Sequence, residues 1–124
     1  MTTARRLVIT VCPRERGVVI LPLERGGRAT RLDASGVLAA LQDLVATRGL
    51  SERVQIRDGC AGGCWSAGPN VDVRIYAATA PGERADHVAL GWKTYVYSLP
   101  TLASLADVID ENLRGARATR RADR

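Results

Sequence analysis

The first hydrophobic run of the chain is short and β-branched. Residues 7–11 (Leu-Val-Ile-Thr-Val) lie between charged residues and Pro13, which predicts a buried strand that ends at Cys12. Residues 13–32 are rich in turn formers and charge, apart from the apolar residues 18–21. This apolar segment is typical either of a short edge strand or of an exposed docking patch.

Two later segments have apolar residues at helical spacing. The first begins at Asp33 or Ser35, either of which can cap a helix, and Gly49 is well placed to end it. The second extends from about Thr101 to Leu113. The apolar positions that predict the two helices are Val37, Leu38, Leu41, Leu44 and Val45, and then Leu102, Leu105, Val108, Ile109 and Leu113.

Three further strands are predicted between these helices. Val54 and Ile56 alternate with polar residues, and the apolar residues of segment 71–77 do the same. Residues 92–97 combine aromatic and β-branched side chains, which favours a third strand and a hairpin with the second. The predicted order is β-α-β-β-β-α. It indicates an α/β domain with a parallel pair, a mixed sheet and a helix on each face.

Composition supports one globular domain and locates the excess charge at the end of the chain. The chain has 124 residues, of which 46% are hydrophobic, enough for a single core. Its formal net charge is +5, and residues 114–124 hold five arginines and one aspartate. We therefore expect a domain over residues 1–115 and a basic, disordered tail over residues 116–124. No aromatic residue lies among these arginines, so nucleic-acid binding by base stacking is not expected.

The chain has no sequence feature of a membrane or secreted protein. No stretch approaches the ~20 apolar residues of a membrane span. The apolar run near the N-terminus is too short for the core of a signal peptide. These features predict a cytoplasmic protein without membrane contact. Thiols stay reduced in that compartment, so clustered cysteines there bind metal or perform redox chemistry more often than they form disulfides.

Three cysteines carry the candidate chemistry. Cys12 ends the first strand, and Cys60 and Cys64 lie in the loop 58–69 (Asp-Gly-Cys-Ala-Gly-Gly-Cys-Trp-Ser-Ala-Gly-Pro) after the second. The C-terminal ends of parallel strands share one edge of a sheet, where ligands tend to bind, so we expect the three thiols to converge there. Taken alone, Cys12 is equally well explained as a small buried hydrophobic residue.

Other residues of this loop suit a bound group. Gly59, Gly62 and Gly63 can offer backbone N–H groups to sulfide or another anion, and they are equally suited to a tight loop. Trp65 directly follows Cys64. Its indole can shield a cluster from water, or it can cover the hydrophobic core.

The cysteine loop resembles the second half-motif of the thioredoxin-like [2Fe-2S] ferredoxins, and Val11-Cys12 is similar to their first half-motif. The residues that carry the resemblance in the loop are Gly59, Cys60, Cys64, Gly68, Pro69, Val71 and Val73. Residues 91–97 are similar to a related group of predicted metal-binding proteins of the same fold. The resemblance implies a thioredoxin-like fold and a [2Fe-2S] cluster held by Cys12, Cys60 and Cys64.

The sequence does not identify the fourth ligand of the cluster. These families carry a further cysteine after the first, and residues 13–32 of this chain contain none. His87 is the only histidine, but the predicted strand 71–77 separates it from the cysteine loop by on the order of 20 Å. The other candidates are a second subunit, a small thiol, an open coordination site, and the carboxylates of Asp58, Glu15 and Glu24.

Three functions agree with these observations. The first is a [2Fe-2S] electron carrier or cluster-binding protein with three cysteine ligands, a fourth ligand of another kind and a redox partner protein. The second is a metal-binding accessory protein that passes zinc, copper or cobalt to a partner. The third is a cluster-less binding module that docks through residues 18–21 and the arginine tail. A homodimer is compatible with each.

None of the three functions is enzymatic. A single histidine, predicted far from the thiols, disfavours a Cys–His hydrolase. Two cysteines separated by three residues, in a loop that does not open a helix, disfavour a disulfide oxidoreductase.

Overall fold

The three-dimensional structure is a computed structural model, which describes residues 5–59, 69–77, 90–96 and 98–114. The predicted basic tail lies outside the described residues. The elements are β1 (Arg5–Val11), β2 (Val18–Pro22), β3 (Ala29–Asp33), α1 (Ala34–Thr47), β4 (Val54–Asp58), β5 (Val71–Ala77), β6 (Gly91–Tyr95), a 3₁₀ turn (Leu99–Thr101) and α2 (Asp107–Arg114). The fold class is α/β, as predicted.

Four strands form a mixed sheet in the order β4-β1-β5-β6. β1 is parallel to β4 and antiparallel to β5, and β5 is antiparallel to β6. The parallel pair and the β5–β6 hairpin are those that the sequence predicts. The register places Val11, the last residue of β1, between Asp58 on one side and Val71 on the other.

A second sheet of two strands precedes α1. β2 contains the apolar residues 18–21 and pairs with β3 in an antiparallel hairpin. Val19 and Leu21 are buried in the core, whereas Val18 and Ile20 are exposed. The predicted order β-α-β-β-β-α omits both strands. β3 leaves no clear signal in the sequence because Leu32 is its only large apolar residue.

α1 forms where its caps and apolar spacing predict it. The side chain of Asp33 accepts a hydrogen bond from the Gly36 N–H at 2.7 Å, so Asp33 is the N-cap rather than Ser35. After the helix, Gly49 adopts a φ of 67°, a left-handed conformation that glycine tolerates at no steric cost. The buried residues of the helix are Ala34, Val37, Leu41, Leu44 and Val45.

The last helix is shorter than the spacing of its apolar residues predicts. It begins at Asp107 rather than near Thr101. The N–H groups of Leu105 and Ala106 donate to the carbonyl oxygens of Pro22 and of the following residue at 2.8 and 2.9 Å. These bonds to the end of β2 replace the bonds that would continue the helix backwards. In the part of the chain that the structure describes, no helix is long and apolar enough to cross a membrane.

Both helices pack against the same face of the four-stranded sheet. Leu7 and Ile9 point to this face and form one core with the buried apolar residues of β2, α1 and α2. On the opposite face Gln55, Arg57 and Trp92 are exposed. The prediction of one helix on each face is therefore wrong for the described residues. The reason is the polar character of the second face, which a packed helix would desolvate.

Candidate functional site

Cys12 lies at the C-terminal end of β1 and is buried, with 5% of its surface exposed. The chain turns directly after it, where the Glu15 N–H donates to the Cys12 carbonyl oxygen at 3.3 Å. The run of apolar residues 7–11 therefore ends at the edge of the sheet, as the sequence predicts. The thiol belongs to the edge at which the parallel strands β1 and β4 both end.

The described residues on both sides of the cysteine loop are fixed beside the end of β1. Gly59 follows β4, and its N–H donates to the Val11 carbonyl oxygen at 3.1 Å. On the other side Val71 begins β5 opposite Val11. Because neighbouring strands lie about 5 Å apart, the described residues at both ends of the loop are close to Val11. The remaining predicted site residues lie outside the described residues, namely Cys60, Gly62, Gly63, Cys64 and Trp65, and the same holds for His87.

Packing alone does not require glycine at position 59. A Cβ atom added to Gly59 would meet the Thr10 Cγ2 at 3.5 Å, which is ordinary van der Waals contact. Its predicted role in binding a group through the backbone N–H stays a prediction, and this N–H is already engaged with Val11. The carbonyl group of Gly59 is joined to Cys60, the first cysteine of the loop.

A buried carboxylate ties the turn after Cys12 to the start of β5. Glu15 is 8% exposed, and its Oε1 accepts from the Asn70 N–H at 2.8 Å. The second oxygen, Oε2, accepts from the Asn70 Nδ2 at 3.2 Å. With both oxygens engaged, Glu15 acts as a clamp that positions the edge of the sheet around Cys12. Asn70 could not be found from the sequence, because nothing in the local pattern links residues 55 positions apart.

Glu24 lies at the opposite edge of the molecule. Its carboxylate pairs with Arg48, the residue that caps the C-terminus of α1. Arg48 also donates to Asp110 of α2 at 2.7 Å. Because α1 runs antiparallel to β1, this network belongs to the edge where β1 begins rather than where it ends. The expectation that Glu24 lies near enough to complete a site at Cys12 is therefore wrong.

Asp58 is the third candidate carboxylate, and it lies at the same edge of the sheet as Cys12. It ends β4, is the register partner of Val11, and is exposed. Among the described residues its carboxylate has neither a hydrogen-bond nor an ion-pair partner. No group of three or more His, Cys, Asp or Glu side chains within the described ranges is arranged to hold a metal ion. Two of the three predicted cysteine ligands lie outside those ranges.

No family model, no curated protein and no solved structure matches this chain. The assignment of a function therefore rests on the chemistry of its own residues and on where the fold places them.

Proposed function

We propose that this protein binds a [2Fe-2S] cluster through Cys12, Cys60 and Cys64, and that it acts as an electron carrier or cluster-binding protein. The observation that carries the proposal is the position of Cys12. It is buried at the edge of the sheet where Gly59 leads into the cysteine loop, and Gly59 is hydrogen-bonded to Val11. Cys60 directly follows Gly59 in the chain. One peptide bond therefore separates Cys60 from a residue that is hydrogen-bonded to Val11, the neighbour of Cys12.

The donor set fits a thiolate-bound group. Iron–sulfur clusters are held by cysteine thiolates, and hydrogen bonds to the sulfur atoms tune their potential. In the proposal, the N–H groups of Gly62 and Gly63 donate to sulfur, and Trp65 limits the access of water. When bound, the cluster supplies one-electron chemistry. This chain supplies the ligands, their spacing and their surroundings. The finer fold assignment, a thioredoxin-like ferredoxin domain, belongs to the same proposal.

The charges around the edge agree with a negatively charged centre. Arg14 and Arg16 are exposed on the turn that follows Cys12, and Arg57 is exposed near the end of β4. Thiolates and sulfide carry negative charge, which nearby guanidinium groups stabilise. We propose a reducing, cytoplasmic setting, in which the thiols stay available for metal. The partner is then a redox protein or an acceptor of the cluster.

Asp58 is our candidate for the fourth ligand. Both oxygens of Glu15 bind Asn70, and Glu24 lies at the other edge. Asp58 is exposed beside Val11 and has no ion-pair partner among the described residues. A carboxylate ligand is harder than a thiolate and binds soft metal centres less tightly. The site would thus release its cluster or metal more readily than a site of four cysteines.

The metal and sulfide content of protein purified without oxygen tests the cluster. We expect a brown protein with about two iron and two sulfide per cluster. Cys12→Ser, Cys60→Ser and Cys64→Ser should each remove most of the iron, whereas Ser51→Ala in an exposed turn should leave it unchanged. An iron-free protein with an intact far-UV circular dichroism spectrum would contradict the cluster proposal.

The same preparation separates the second candidate, a metal-binding accessory protein. Three thiolates and one carboxylate also suit a single zinc ion, with copper(I) or cobalt as further possibilities. The observation that favours it is the exposed carboxylate of Asp58 at the edge that bears Cys12, a hard ligand that four-cysteine cluster sites lack. One zinc, copper or cobalt per chain without sulfide would support this function and exclude the first.

Substitution of Asp58 tests the fourth ligand separately. Asp58→Asn should speed the loss of the bound metal or cluster to a chelator, because the amide is a weaker ligand. Asp58→Cys should slow it, because it completes a set of thiolates. Asp43→Asn, an exposed position on α1, is the matched control. Equal rates of loss for the Asp58 and Asp43 variants would exclude Asp58 as a ligand while leaving the three cysteines in place.

A further inference from the structure

One face of the four-stranded sheet carries no helix in the described part of the chain. We call it the outer face, and it is centred on Arg6, Val8, Arg57, Arg74, Tyr76 and Trp92. The register defines it: Arg6 pairs with Tyr76, and Val8 pairs with Arg74, which in turn pairs with Trp92. Arg57 of β4 is the register partner of Thr10, which lies on the same face of the sheet as Val8. These side chains alternate with those of the core.

The outer face includes an exposed apolar strip along β6. Leu90, Trp92 and Val96 lie on the same side of the strand, with Thr94 between the last two, and are 55%, 71% and 50% exposed. β6 is the last strand of the described sheet, so the strip lies at an edge. On the other side of the strand Tyr95 is buried in the core, whereas Lys93 is exposed. Large apolar side chains grouped on a surface mark sites of interaction with other molecules.

A groove of about 390 Å³ lies beside this strip. Val8 and Thr10 of β1 form its floor, and Arg57 and Arg74 rise on either side from the neighbouring strands. Tyr76 lines one end of the groove. The groove is half open to solvent, so side chains of a bound polypeptide segment can enter it.

Positive charge prevails on the outer face. Arg6 lies over the Tyr76 ring at 4.6 Å, and Arg74 pairs with Asp72 at 3.6 Å. Arg57 has no ion-pair partner among the described residues. The groove itself is lined by two arginines and two aspartates, Arg57, Arg74, Asp58 and Asp72. Arg6 adds a third arginine to the outer face, which gives this face its excess of positive charge. The excess charge opposes contact between two copies of this face and favours a partner that carries carboxylates.

We propose that the outer face binds an acidic segment of a partner protein that also carries a large apolar side chain. Trp92 is the apolar anchor of this interface, and Arg57 and Arg74 pair with the carboxylates. Tryptophan, tyrosine and arginine are the residues that dominate the binding energy of protein interfaces, and all three meet here. The proposal does not depend on a bound cluster or metal.

Nucleic acid fits the same surface less well. The two carboxylates in the groove, Asp58 and Asp72, repel a phosphate backbone. Leu90 and Val96 add apolar area that neither phosphate nor sugar can cover, whereas a protein partner buries it. Trp92 alone would be compatible with base stacking. The balance of these contacts favours a polypeptide.

Selection from random peptides of about 12 residues, a length typical of extended recognition segments, tests the proposal. The target is the full chain without added metal. We expect the enriched peptides to carry net negative charge and at least one aromatic or large aliphatic residue. Their amide shift perturbations on the labelled protein should map to β5 and β6. Enrichment of neutral or basic peptides, or perturbations confined to the core side, would overturn the proposal.

Variants make the test specific. Trp92→Ala and Arg57→Glu should each weaken binding of the selected peptides about tenfold or more. Arg31→Glu, an exposed position on β3 with the same change of charge, should leave the affinity within about twofold. Equal losses for Arg57→Glu and Arg31→Glu would reduce the effect to net charge and contradict a defined surface.

Two further measurements would identify a different binding partner for the outer face. Tighter binding of an oligothymidine than of the selected peptides, lost in Trp92→Ala, would replace the acidic partner by single-stranded nucleic acid. A dimer in sedimentation that Trp92→Ala dissociates would replace it by a second copy of the chain. Because all arms use metal-free protein, they are independent of whether Cys12 takes part in a cluster.

Discussion

Val8 and Ile9 are neighbours on β1, yet their side chains lie on opposite faces of the sheet and have different surroundings. Ile9 is completely buried in the core that α1 and α2 cover. Val8 is almost as buried, but it forms the floor of an open groove between two arginines. Helices cover Ile9, whereas among the described residues it is the neighbouring strands that surround Val8.

This difference separates the residues that stabilise the fold from those that are available for binding. On the core face, apolar area is removed from water when the chain folds, so it contributes to the stability of the folded state. On the outer face, Trp92 and Leu90 remain in water. Their apolar area can contribute only when another molecule covers it. Stability and binding should therefore respond to different substitutions.

The largest effect should come from truncating the core face. Ile9→Ala should lower the free energy of unfolding by about 2–5 kcal/mol, since it leaves a cavity in a packed core. Trp92→Ala removes a larger side chain, but it should change stability by less than about 0.5 kcal/mol, because most of that side chain is in water. Urea unfolding monitored by circular dichroism measures both. Comparable losses for the two variants would mean that the outer face is covered after all.

The sequence was sufficient for elements whose own residues determine them. α1 has a capping aspartate, apolar side chains at helical spacing and a terminal glycine, so Asp33 and Gly49 delimit it in the sequence and in the structure. β1, β4, β5 and β6 also follow their patterns. The position of Cys12 at the edge of the sheet required only the end of β1 and a parallel partner.

Elements that depend on distant residues were not predictable in the same way. β3 exists because β2 pairs with it, and its own side chains are half exposed on both sides. The start of α2 is set by bonds from Leu105 and Ala106 to the end of β2. Likewise, the clamp between Glu15 and Asn70 joins positions far apart in the sequence. The placement of both helices on one face, by contrast, agrees with the alternation of polar and apolar residues in β4 and β5, which marks the other face as polar.

Two tyrosines, one on each face of the sheet, provide a second comparison of the faces. Tyr95 is buried on the core face, where its hydroxyl donates to Glu111 and accepts from the Asn112 Nδ2 at 2.9 Å. Tyr95→Phe should lower the free energy of unfolding by about 1–2 kcal/mol, because it removes a buried hydrogen-bonding group. Tyr76→Phe on the outer face leaves the ring under Arg6 and should have little effect. Equal losses would contradict the assignment of Tyr95 to a buried network.

Tyr95 should also make the stability of the fold depend on alkaline pH. Burial, and then the hydrogen bond to Glu111, raise the pKa of Tyr95 above its ordinary value. The folded state thus keeps this proton where the unfolded chain loses it. The stability due to Tyr95 is present below about pH 10 and is lost as the pH rises above it. Urea unfolding at increasing pH should show this loss in the native chain and in Tyr76→Phe, but not in Tyr95→Phe.

The smallest effects should come from two ion pairs, one between the β2–β3 hairpin and α2 and the other on the outer face. Burial opposes the charge of Asp107, but hydrogen bonds from Arg25 and Ser104 outweigh it and hold its pKa below the ordinary value. The resulting stability is present above about pH 4, the ordinary pKa of aspartate, and is lost as the pH falls through the lower pKa of the folded state. Asp107→Asn should cost about 0.5–1 kcal/mol at neutral pH, with the difference vanishing in acid. Asp72→Asn, which breaks a longer pair on the outer face, should cost less. A larger loss for Asp72→Asn would show that the outer face contributes to folding as well as to binding.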